Sequence, residues 1–506
     1  MAIIGAGIGG LATALRLAHA GLRVTVLERH ATMGGKMRTL PTSAGPVDAG
    51  PTVLTMKSIF EALFADVGLR LEDHITLISQ DILARHFWPD GTTLDLMSDQ
   101  ATSVANVRQA FGQTAADQFI TFSHRARQLY DVFDPAMMQS PAPSLTSLSR
   151  TVAKNASVIP AMDPLRTLMS SLNRQFTDPR LAQLFARYAT YVGGLPSASP
   201  ALLALIWHVE SQGVWHVEGG MHVLAQTIAK CAVSFGATFQ YDTHVTRIET
   251  QDGGTSAIHT SNARIPVDAV VFNGDPNALC TGFLGPTAAK AVSKSATHPR
   301  SLSAHVMSFA AIPDGVDLAA HNVFFAHDPR AEYAPLAKGQ PQSDPTLYVC
   351  AQDRFGGANP TGAERFEVIL NSPPASFEET RLPCQTRILD RLSHHGLTFS
   401  PTPDFVTQPQ DFDQMFPASR GSLYGRSPHG MMAALKRPTA RTHLKGLYLT
   451  GGGAHPGAGV PMATLSAQHA AAAILQDLPS TLTCPQAATH GGTLTASATT
   501  APVQYR

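Results

Sequence analysis

Four glycines and one glutamate near the start of the chain have the types and spacing of a phosphate-binding device. Gly5-Ala6-Gly7-Ile8-Gly9-Gly10 matches G-x-G-x-x-G and follows a short apolar run, Ala2-Ile3-Ile4. Leu11, Ala14, Leu15 and Ala18 then recur at helical spacing, and Gly21 stands where a helix C-terminal glycine belongs. Val24-Thr25-Val26-Leu27 reads as a buried strand, closed by Glu28. Gly5 permits the tight turn, Gly7 lets the backbone approach a pyrophosphate, and Gly10 lets the helix pack close to the sheet. A helix that begins at Ile8 and Gly9 offers unpaired N–H groups and the positive end of its dipole to an anion. Glu28 can accept hydrogen bonds from ribose hydroxyls, and its charge repels a ribose phosphate. A lone G-x-G-x-x-G is a weak signal. Strand, helix, strand and acid in order make it a dinucleotide unit suited to an ADP-ribose without a 2′-phosphate.

The rest of the chain must position that unit. Its 506 residues are enough for two or more domains with sizeable cores. The composition is 44% hydrophobic and 15% charged, with 37 basic and 37 acidic residues, so nothing points to nucleic acid as a partner. Cys231, Cys280, Cys350, Cys384 and Cys484 are scattered without a C-x-x-C pair, which argues against a disulfide framework or a metal site and fits a reducing compartment. No apolar run reaches transmembrane length. The first strand begins almost at Met1, which leaves no room for a signal peptide; either the true start lies upstream or this strand is clipped.

Two more glycine-rich turns follow, Met33-Gly34-Gly35-Lys36-Met37-Arg38 and Val47-Asp48-Ala49-Gly50-Pro51-Thr52. They read as loops that follow a cofactor beyond its adenosine half, with Lys36 and Arg38 facing phosphates or an electron-rich ring, or as surface turns with solvated cations. With the first unit they resemble the phytoene desaturase group of flavoproteins, within the FAD-dependent amine oxidases and desaturases. The coarse organisation resembles that group over about residues 2 to 478. The resemblance implies an α/β fold: a Rossmann-like FAD-binding domain of the amine oxidase/phytoene desaturase type with an inserted α+β substrate domain. The FAD-binding domain is expected to be discontinuous, at 1–80, 215–285 and 440–478. A substrate and membrane-contact domain is expected at 81–214 and 286–439, and a disordered tail at 479–506.

Within that frame, 58–69 reads as a helix, 82–97 as a hairpin turning at Asp90-Gly91, and 100–212 as mostly helical with Pro-rich breaks at 135–143 and 160–164. Trp215 to Met221 returns the chain to the first domain, followed by helix 222–235 and strands 237–241, 244–248 and 268–273. In the group, the residue matching Val245 lies against the adenine through its backbone; a valine there is also an ordinary core residue. Strands are expected near 302–312, 346–351 and 366–371. The last return is a buried strand from Gly446, then Thr450-Gly451-Gly452-Gly453-Ala454-His455-Pro456-Gly457-Ala458-Gly459-Val460-Pro461 and a helix 462–476. That loop lets backbone approach a flat ring, and the helix start can stabilise negative charge on a reduced flavin's pyrimidine edge. The expected cofactor-binding set is therefore Gly5, Gly7, Ile8, Gly9, Gly10, Glu28, Gly35, Lys36, Gly50, Pro51, Thr52, Val245, Gly452, Gly453, Val460 and Pro461, with no metal.

The stretches 50–55, 84–91, 176–181, 187–193 and 459–466 resemble one subgroup, the bacterial 1-hydroxycarotenoid 3,4-desaturases, also called methoxyneurosporene or hydroxyneurosporene dehydrogenases, of purple photosynthetic bacteria. This implies desaturation at C-3,4 of an acyclic carotenoid hydrated or methoxylated at C-1, on the spheroidene or spirilloxanthin route. Tyr188, Tyr191 and Tyr424 are candidate contacts to the C-1 oxygen, each also readable as a structural tyrosine. No catalytic dyad is visible. His86, His216, His429 and His455 each fit a structural or loop role, and no base is assigned. The electron acceptor implied is oxygen or a quinone. A carotenoid of ~40 carbons costs tens of kcal/mol to expose to water at ~0.8 kcal/mol per CH₂, so it passes from bilayer to enzyme directly. The resemblance thus implies a peripheral protein on the cytoplasmic side of the inner or intracytoplasmic membrane. Leu165, Leu168, Met169 and Leu172 share a helical face beside Arg166 and Arg174, which suits either membrane contact or, more commonly, the core. Phytoene desaturase, a redox-neutral carotene isomerase, an amine oxidase and a non-enzymatic prenyl-lipid escort are the alternative readings.

Overall fold

A computed structural model describes residues 1–374, 381–403 and 406–478. The expected tail 479–506, with Cys484, lies outside the described residues.

The apolar run Ala2–Ile4 is the central strand of a five-stranded parallel sheet. Across that sheet run Leu447–Leu449, Val270–Phe272, Ala2–Ile4, Thr25–Leu27 and Thr238–Gln240. The first strand pairs over all three of its residues with both neighbours. The chain order reverses at this strand, and in open parallel sheets ligands bind outside the strand ends at such a switch point. Helices Ile8–His19, Met221–Ser234 and Val460–Asp477 bury Leu11, Leu15, Leu224, Ile228 and Ile474 with Ile3 and Val26 in one core. The opposite core joins Ala2, Leu27, Val270 and Leu447 to Val245 and Ile248, which lie on the small antiparallel sheet of Val245–Gln251, Gly254–Thr260 and Arg264–Pro266. Gly21 adopts φ 83°, as a helix C-terminal glycine should.

The hairpin Ile82–Phe87 and Thr93–Met97 joins strands from much later in the chain. The resulting seven-stranded sheet runs Leu397–Ser400, Ser303–Gly315, Glu364–Ser372, Leu347–Ala351, His321–Phe324, Ile82–Phe87 and Thr93–Met97. Alternation divides its faces. Met307, Phe309, Phe324, Leu347, Val349, Phe366 and Val368 form a core with Ile388 and Leu392 of the helix Arg381–His394. The other face carries Ser308, His321, Tyr348, Cys350 and Glu367 and turns towards residues 46–52. A helical layer from Gln100 to Ser211 packs Phe119, Phe122, Phe185, Trp207, Leu168 and Leu172 into a third core.

The helical stripe offered for membrane contact belongs to that core. Leu168 and Leu172 are 0% exposed and Met169 packs against the same cluster, whereas Leu165, just before the helix, is 96% exposed. The helix begins at Leu168, so Leu165 falls outside its periodicity. The last helix begins at Val460 rather than at 462, with Pro461 in its first turn. The Pro-rich break near 135 is a π-helix, Asp134–Met138, continuing the helix Gln113–Phe133.

Gly9 and Gly10 leave no room for side chains. A Cβ on Gly9 would stand 2.6 Å from Gly451 Cα and 2.7 Å from Asn273 Oδ1, and one on Gly10 would collide with the Gly5 carbonyl. Gly9→Ala should therefore lower unfolding free energy by about 1–3 kcal/mol, read from chemical denaturation; an unchanged midpoint would contradict this packing.

Candidate functional site

Gly5, Glu28, Asn273 and Gly451 all follow the C-terminal ends of strands in the parallel sheet, so residues far apart in sequence converge on one crevice. Gly7 is the N-cap of the helix Ile8–His19, and no side chain caps that end. The first-turn N–H groups, including those of Ile8, Gly9 and Gly10, have no intrahelical acceptor. Asn273 holds the loop: its N–H donates to the Ile4 carbonyl at 2.9 Å and its side-chain amide to the Gly5 carbonyl at 3.1 Å. Glu28 is buried; its carboxylate accepts from the Ala6 N–H at 2.7 Å and the His30 N–H at 2.9 Å. Each oxygen keeps a lone pair that can accept from a ribose hydroxyl. Val245 is buried with Leu27 beside this acid, and the Thr243 N–H donates to the Glu28 carbonyl at 2.8 Å.

The two turns after Glu28 pack on the loop and on each other. The Gly34 N–H donates to the Ala6 carbonyl at 2.9 Å, and a Cβ on Gly35, which has φ 59°, would be 3.1 Å from Gly7 Cα. A Cβ on Gly50 would collide with the Lys36 carbonyl. Asp48 is buried and accepts from the Met221 N–H at 2.7 Å, at the start of the helix Met221–Ser234. Burial raises its pKa, against the pull of the Met221 and His222 N–H groups. Pro51 is half-buried, and Thr52 meets the Tyr348 hydroxyl at 2.9 Å. Lys36 donates to the Leu423 carbonyl, and desolvation lowers its pKa to about 8 despite nearby Asp275. Arg38 turns away, over the Phe412 ring and towards Thr407 at 3.3 Å.

The C-terminal loop closes the crevice. A Cβ on Gly453 would collide with Pro276, and one on Gly452 would touch Ala458 at 3.7 Å. Arg437 donates to the carbonyls of Gly452 at 2.9 Å and of Tyr424 and Arg426 at 2.8 Å, fixing this loop to the segment that receives Lys36. Gly459 caps the helix Val460–Asp477 without any side-chain bond, so a second bare helix start lies on the crevice. His455 bonds the Ser140 carbonyl at 2.8 Å and His469 that of Met138 at 3.0 Å, pinning the π-helix beside the loop.

Lys36 is exposed and Arg187, Tyr191, Tyr348 and Tyr424 are half-buried, yet desolvation is the largest influence on the pKa of each. The surface they expose therefore lines internal space. Arg187 donates to the Tyr191 hydroxyl at 3.1 Å and lies 5.0 Å from that ring's centroid and 5.6 Å from that of Tyr348. Tyr348 also meets His321 Nδ1 at 2.7 Å. Tyr188, a candidate substrate contact by sequence, is buried and donates to Glu210 at 3.0 Å, a structural role. Desolvation raises the Glu210 pKa to about 7, opposed by the Tyr188 hydroxyl and Arg187. His86, His216 and His455 are held well below the usual histidine range, at about 3, 4 and 4, chiefly by desolvation. His429 accepts from the Leu195 N–H at 2.9 Å. An open groove of about 790 Å³ lined by Arg85, Trp88, Asn106, Asp317 and His394 includes none of the expected cofactor residues.

The structure brings the expected glycines, Glu28, Lys36, Thr52, Val245, Val460 and Pro461 to one crevice and its internal extension. Sequence reading missed Asn273, Arg437, Arg187 and Tyr348 as members. Asn273 stands at the end of an expected strand, and Arg187 opens the subgroup-like stretch 187–193. The donor set fits FAD: bare N–H groups for the pyrophosphate, an acid with free lone pairs for the ribose, and a Lys36 facing internal space. Among the described residues no group of three metal-ligating side chains occurs, and no cysteine forms a disulfide.

Residues 8–475 match the family of flavin containing amine oxidoreductases. The chain is 51% identical over 483 residues to a hydroxyneurosporene desaturase of Cereibacter sphaeroides, covering 94% of this chain and 98% of that one. It is 47% identical to a hydroxyneurosporene desaturase of Rhodobacter capsulatus, covering 94% and 97%. An oxidoreductase structure from Methanosarcina mazei superposes with a TM-score of 0.59 at 15% identity, covering 94% and 99%, which shows the shared fold.

Because the folded-state pKa of Glu210 stands above its ordinary 4.5, at about 7, the fold favours the protonated acid. The stability it contributes is complete below about pH 4.5 and is lost as pH rises through about 7. Glu210→Gln should therefore be more stable than the wild type above pH 7, by on the order of 2 kcal/mol, and match it near pH 4.5. Glu332, also raised to about 7 by burial, keeps titrating in both. Denaturation midpoints between pH 4.5 and 8 decide it; parallel profiles would refute it.

Proposed function

The chain belongs to the flavin containing amine oxidoreductase family, and from that premise we propose that it desaturates C-3,4 of acyclic 1-hydroxy or 1-methoxy carotenoids. The observation that carries this is the near-full-length likeness to hydroxyneurosporene desaturases. FAD is the cofactor; when bound it supplies a two-electron acceptor for hydrogens leaving adjacent carbons.

The residues then divide the work. Gly5, Gly7, Ile8, Gly9 and Gly10 would hold the pyrophosphate through backbone N–H groups, Glu28 the ribose, and Val245 the adenine. Gly35, Lys36, Gly50, Pro51, Thr52, Gly452, Gly453, Val460 and Pro461 would hold the ring end. The bare start of the helix Val460–Asp477 points positive partial charge into the crevice. The tyrosine-lined space keeps water from the reacting carbons and fixes their orientation. No side chain is assigned as base. The segments 1–80, 215–285 and 440–478 form the cofactor domain in this reading, and 81–214 and 286–439 the substrate domain.

A substrate this apolar implies contact with a lipid surface, on the cytoplasmic side of the inner or intracytoplasmic membrane, with oxygen or a quinone as final acceptor. No described helix is long and apolar enough to cross a membrane. Leu145, Ile159 and Leu165 are exposed on the segment that follows the π-helix, and His455 and His469 tie the π-helix region to the cofactor loop and to the helix Val460–Asp477. That segment supports the reading of a short route from a leaflet to the crevice.

Anaerobic incubation of the purified holoenzyme with a 1-hydroxylated acyclic carotenoid should bleach the flavin absorption and give a product absorbing at longer wavelength. The unhydroxylated polyene and phytoene should bleach it at least tenfold more slowly. Equal or faster bleaching with phytoene would transfer the assignment to a phytoene desaturase. Ile159→Glu with Leu165→Glu should cut co-sedimentation with liposomes at least fivefold and leave the melting temperature within about 2 °C, since exposed sites contribute within about ±0.5 kcal/mol. Undiminished sedimentation would exclude this segment as the contact.

A further inference from the structure

Two arginines deep in this molecule, Arg426 and Arg437, spend their donors on backbone carbonyls. Arg85, Arg300, Arg354 and Arg365 each close on a carboxylate. No carboxylate among the described residues lies within 4.0 Å of the Arg187 guanidinium, although Glu210 is near enough to act on it electrostatically. Glu210 is instead engaged by the Tyr188 hydroxyl at 3.0 Å. Arg187 makes one hydrogen bond, to Tyr191, and its remaining N–H groups open on the internal space. A desolvated cation between two aromatic rings is stabilised by their π faces, and its planar fork is oriented with one donor used.

Its position ties it to both cofactor loops. Tyr348, against Arg187, meets Thr52 of the Gly50–Thr52 turn at 2.9 Å. Six residues past Arg187, a Cβ on Gly193 would press on the Tyr424 ring, and a Cβ on the adjoining Gly425 would be 3.2 Å from Gly453 Cα. The free donors of Arg187 therefore lie one ring, that of Tyr348, from the turn that would hold the ring end of the cofactor.

The chemistry of the substrate requires a polar reader at that place. C-1 is two bonds from C-3 and three from C-4, so its oxygen lies on the order of 5 Å from the reacting carbons at about 1.5 Å per bond. Whatever recognises it must sit beside the cofactor ring, not at a distant end of the cavity. Three nearby hydroxyls are engaged, Tyr348 with Thr52 and His321, Tyr188 with Glu210, and Tyr191 with Arg187; Tyr424 brings a single hydroxyl, whereas Arg187 brings several donors and no acceptor.

We infer that Arg187, held between Tyr191 and Tyr348, is the specificity residue that donates hydrogen bonds to the C-1 oxygen of the substrate. This rests on the desaturase reading above. A guanidinium only donates, and both an alcohol and an ether oxygen accept. Arg187 therefore serves a C-1 hydroxyl and a C-1 methyl ether alike. A polyene with no oxygen there leaves its desolvated donors unpaired and is rejected, because an unmade hydrogen bond in a dry site is costly.

The test uses wild-type holoenzyme, Arg187→Met and Arg187→Lys, with three polyenes of equal length bearing a C-1 hydroxyl, a C-1 methoxyl or no oxygen. The readout is kcat/KM from anaerobic flavin bleaching, with bound FAD and melting temperature measured alongside. In the wild type, the hydroxyl and methoxyl substrates should differ by less than about fivefold, and both should exceed the third at least a hundredfold. Arg187→Met should keep its FAD, lose at least a hundredfold on the two oxygenated substrates and less than threefold on the other. Arg187→Lys should recover part of the oxygen preference. An equal fall on all three substrates would make Arg187 structural and overturn the inference. Should Arg187→Met fail to fold, the wild-type ratios decide alone: strong preference for hydroxyl over methoxyl would show that an acceptor, not Arg187, reads the oxygen. A wild type that oxidises phytoene as readily as the hydroxylated polyene would overturn the desaturase assignment itself, and with it this role.

Discussion

The cofactor crevice depends on the wedging of one amide between two glycine loops. Asn273 bonds the backbone of the first strand and the Gly5 carbonyl, while its Oδ1 sits where a side chain on Gly9 or Gly451 would have to go. The loops can approach this closely only because neither carries a Cβ at the contact, and the approach aligns two bare helix starts on one crevice. Thr13 and Thr450, 3.3 Å apart, and the Ser466 hydroxyl, 2.7 Å from the Gly451 N–H, continue the seam behind it. Each of these bonds is modest in water-exposed terms. In a buried seam their loss leaves unpaired polar groups, which is the larger effect.

The second constraint is electrostatic. The sheet face that turns towards the crevice is polar and buried, carrying Ser308, His321, Tyr348, Cys350 and Glu367. Desolvation pushes Glu367 well above the carboxylate range, with Asp48 adding to it, and lowers His321 to about 3. The same desolvation holds Lys36 near 8. Glu367 and His321 therefore favour their neutral forms, while Lys36 stays largely protonated near neutral pH and Arg187 is a fixed cation. A space with few charged groups suits an apolar ligand with a single polar feature.

Helical periodicity placed Leu165, Leu168, Met169 and Leu172 on one face but could not say what that face meets. Leu168 and Leu172 face the helical core because the segment from Ser199 folds over them, its carbonyl accepting from the Leu168 N–H at 2.8 Å. Leu165 precedes the helix and escapes that cover. His455 drew notice because it stands inside a glycine-rich loop, and it serves as a tie to a carbonyl more than 300 residues earlier. In both cases the partner is distant in sequence, and the helix starts at Leu168, too late to carry Leu165 on the expected face.

The sequence by itself determined the strand–helix–strand unit, the acid after its second strand, the glycine turns and the strands that return to the same sheet. These follow from backbone rules that act within a few residues: φ beyond the reach of L side chains, a period of 3.6 or of 2, and an uncapped helix end. Only the tertiary structure decided that Asn273 and Arg437 hold the loops, that Tyr188 is structural, and that Arg187 faces open internal space between two rings. Those facts depend on which side chains meet across hundreds of residues and on how far each is withdrawn from water. A hydrogen bond or a desolvated charge is a property of that assembled neighbourhood and is written in no local pattern.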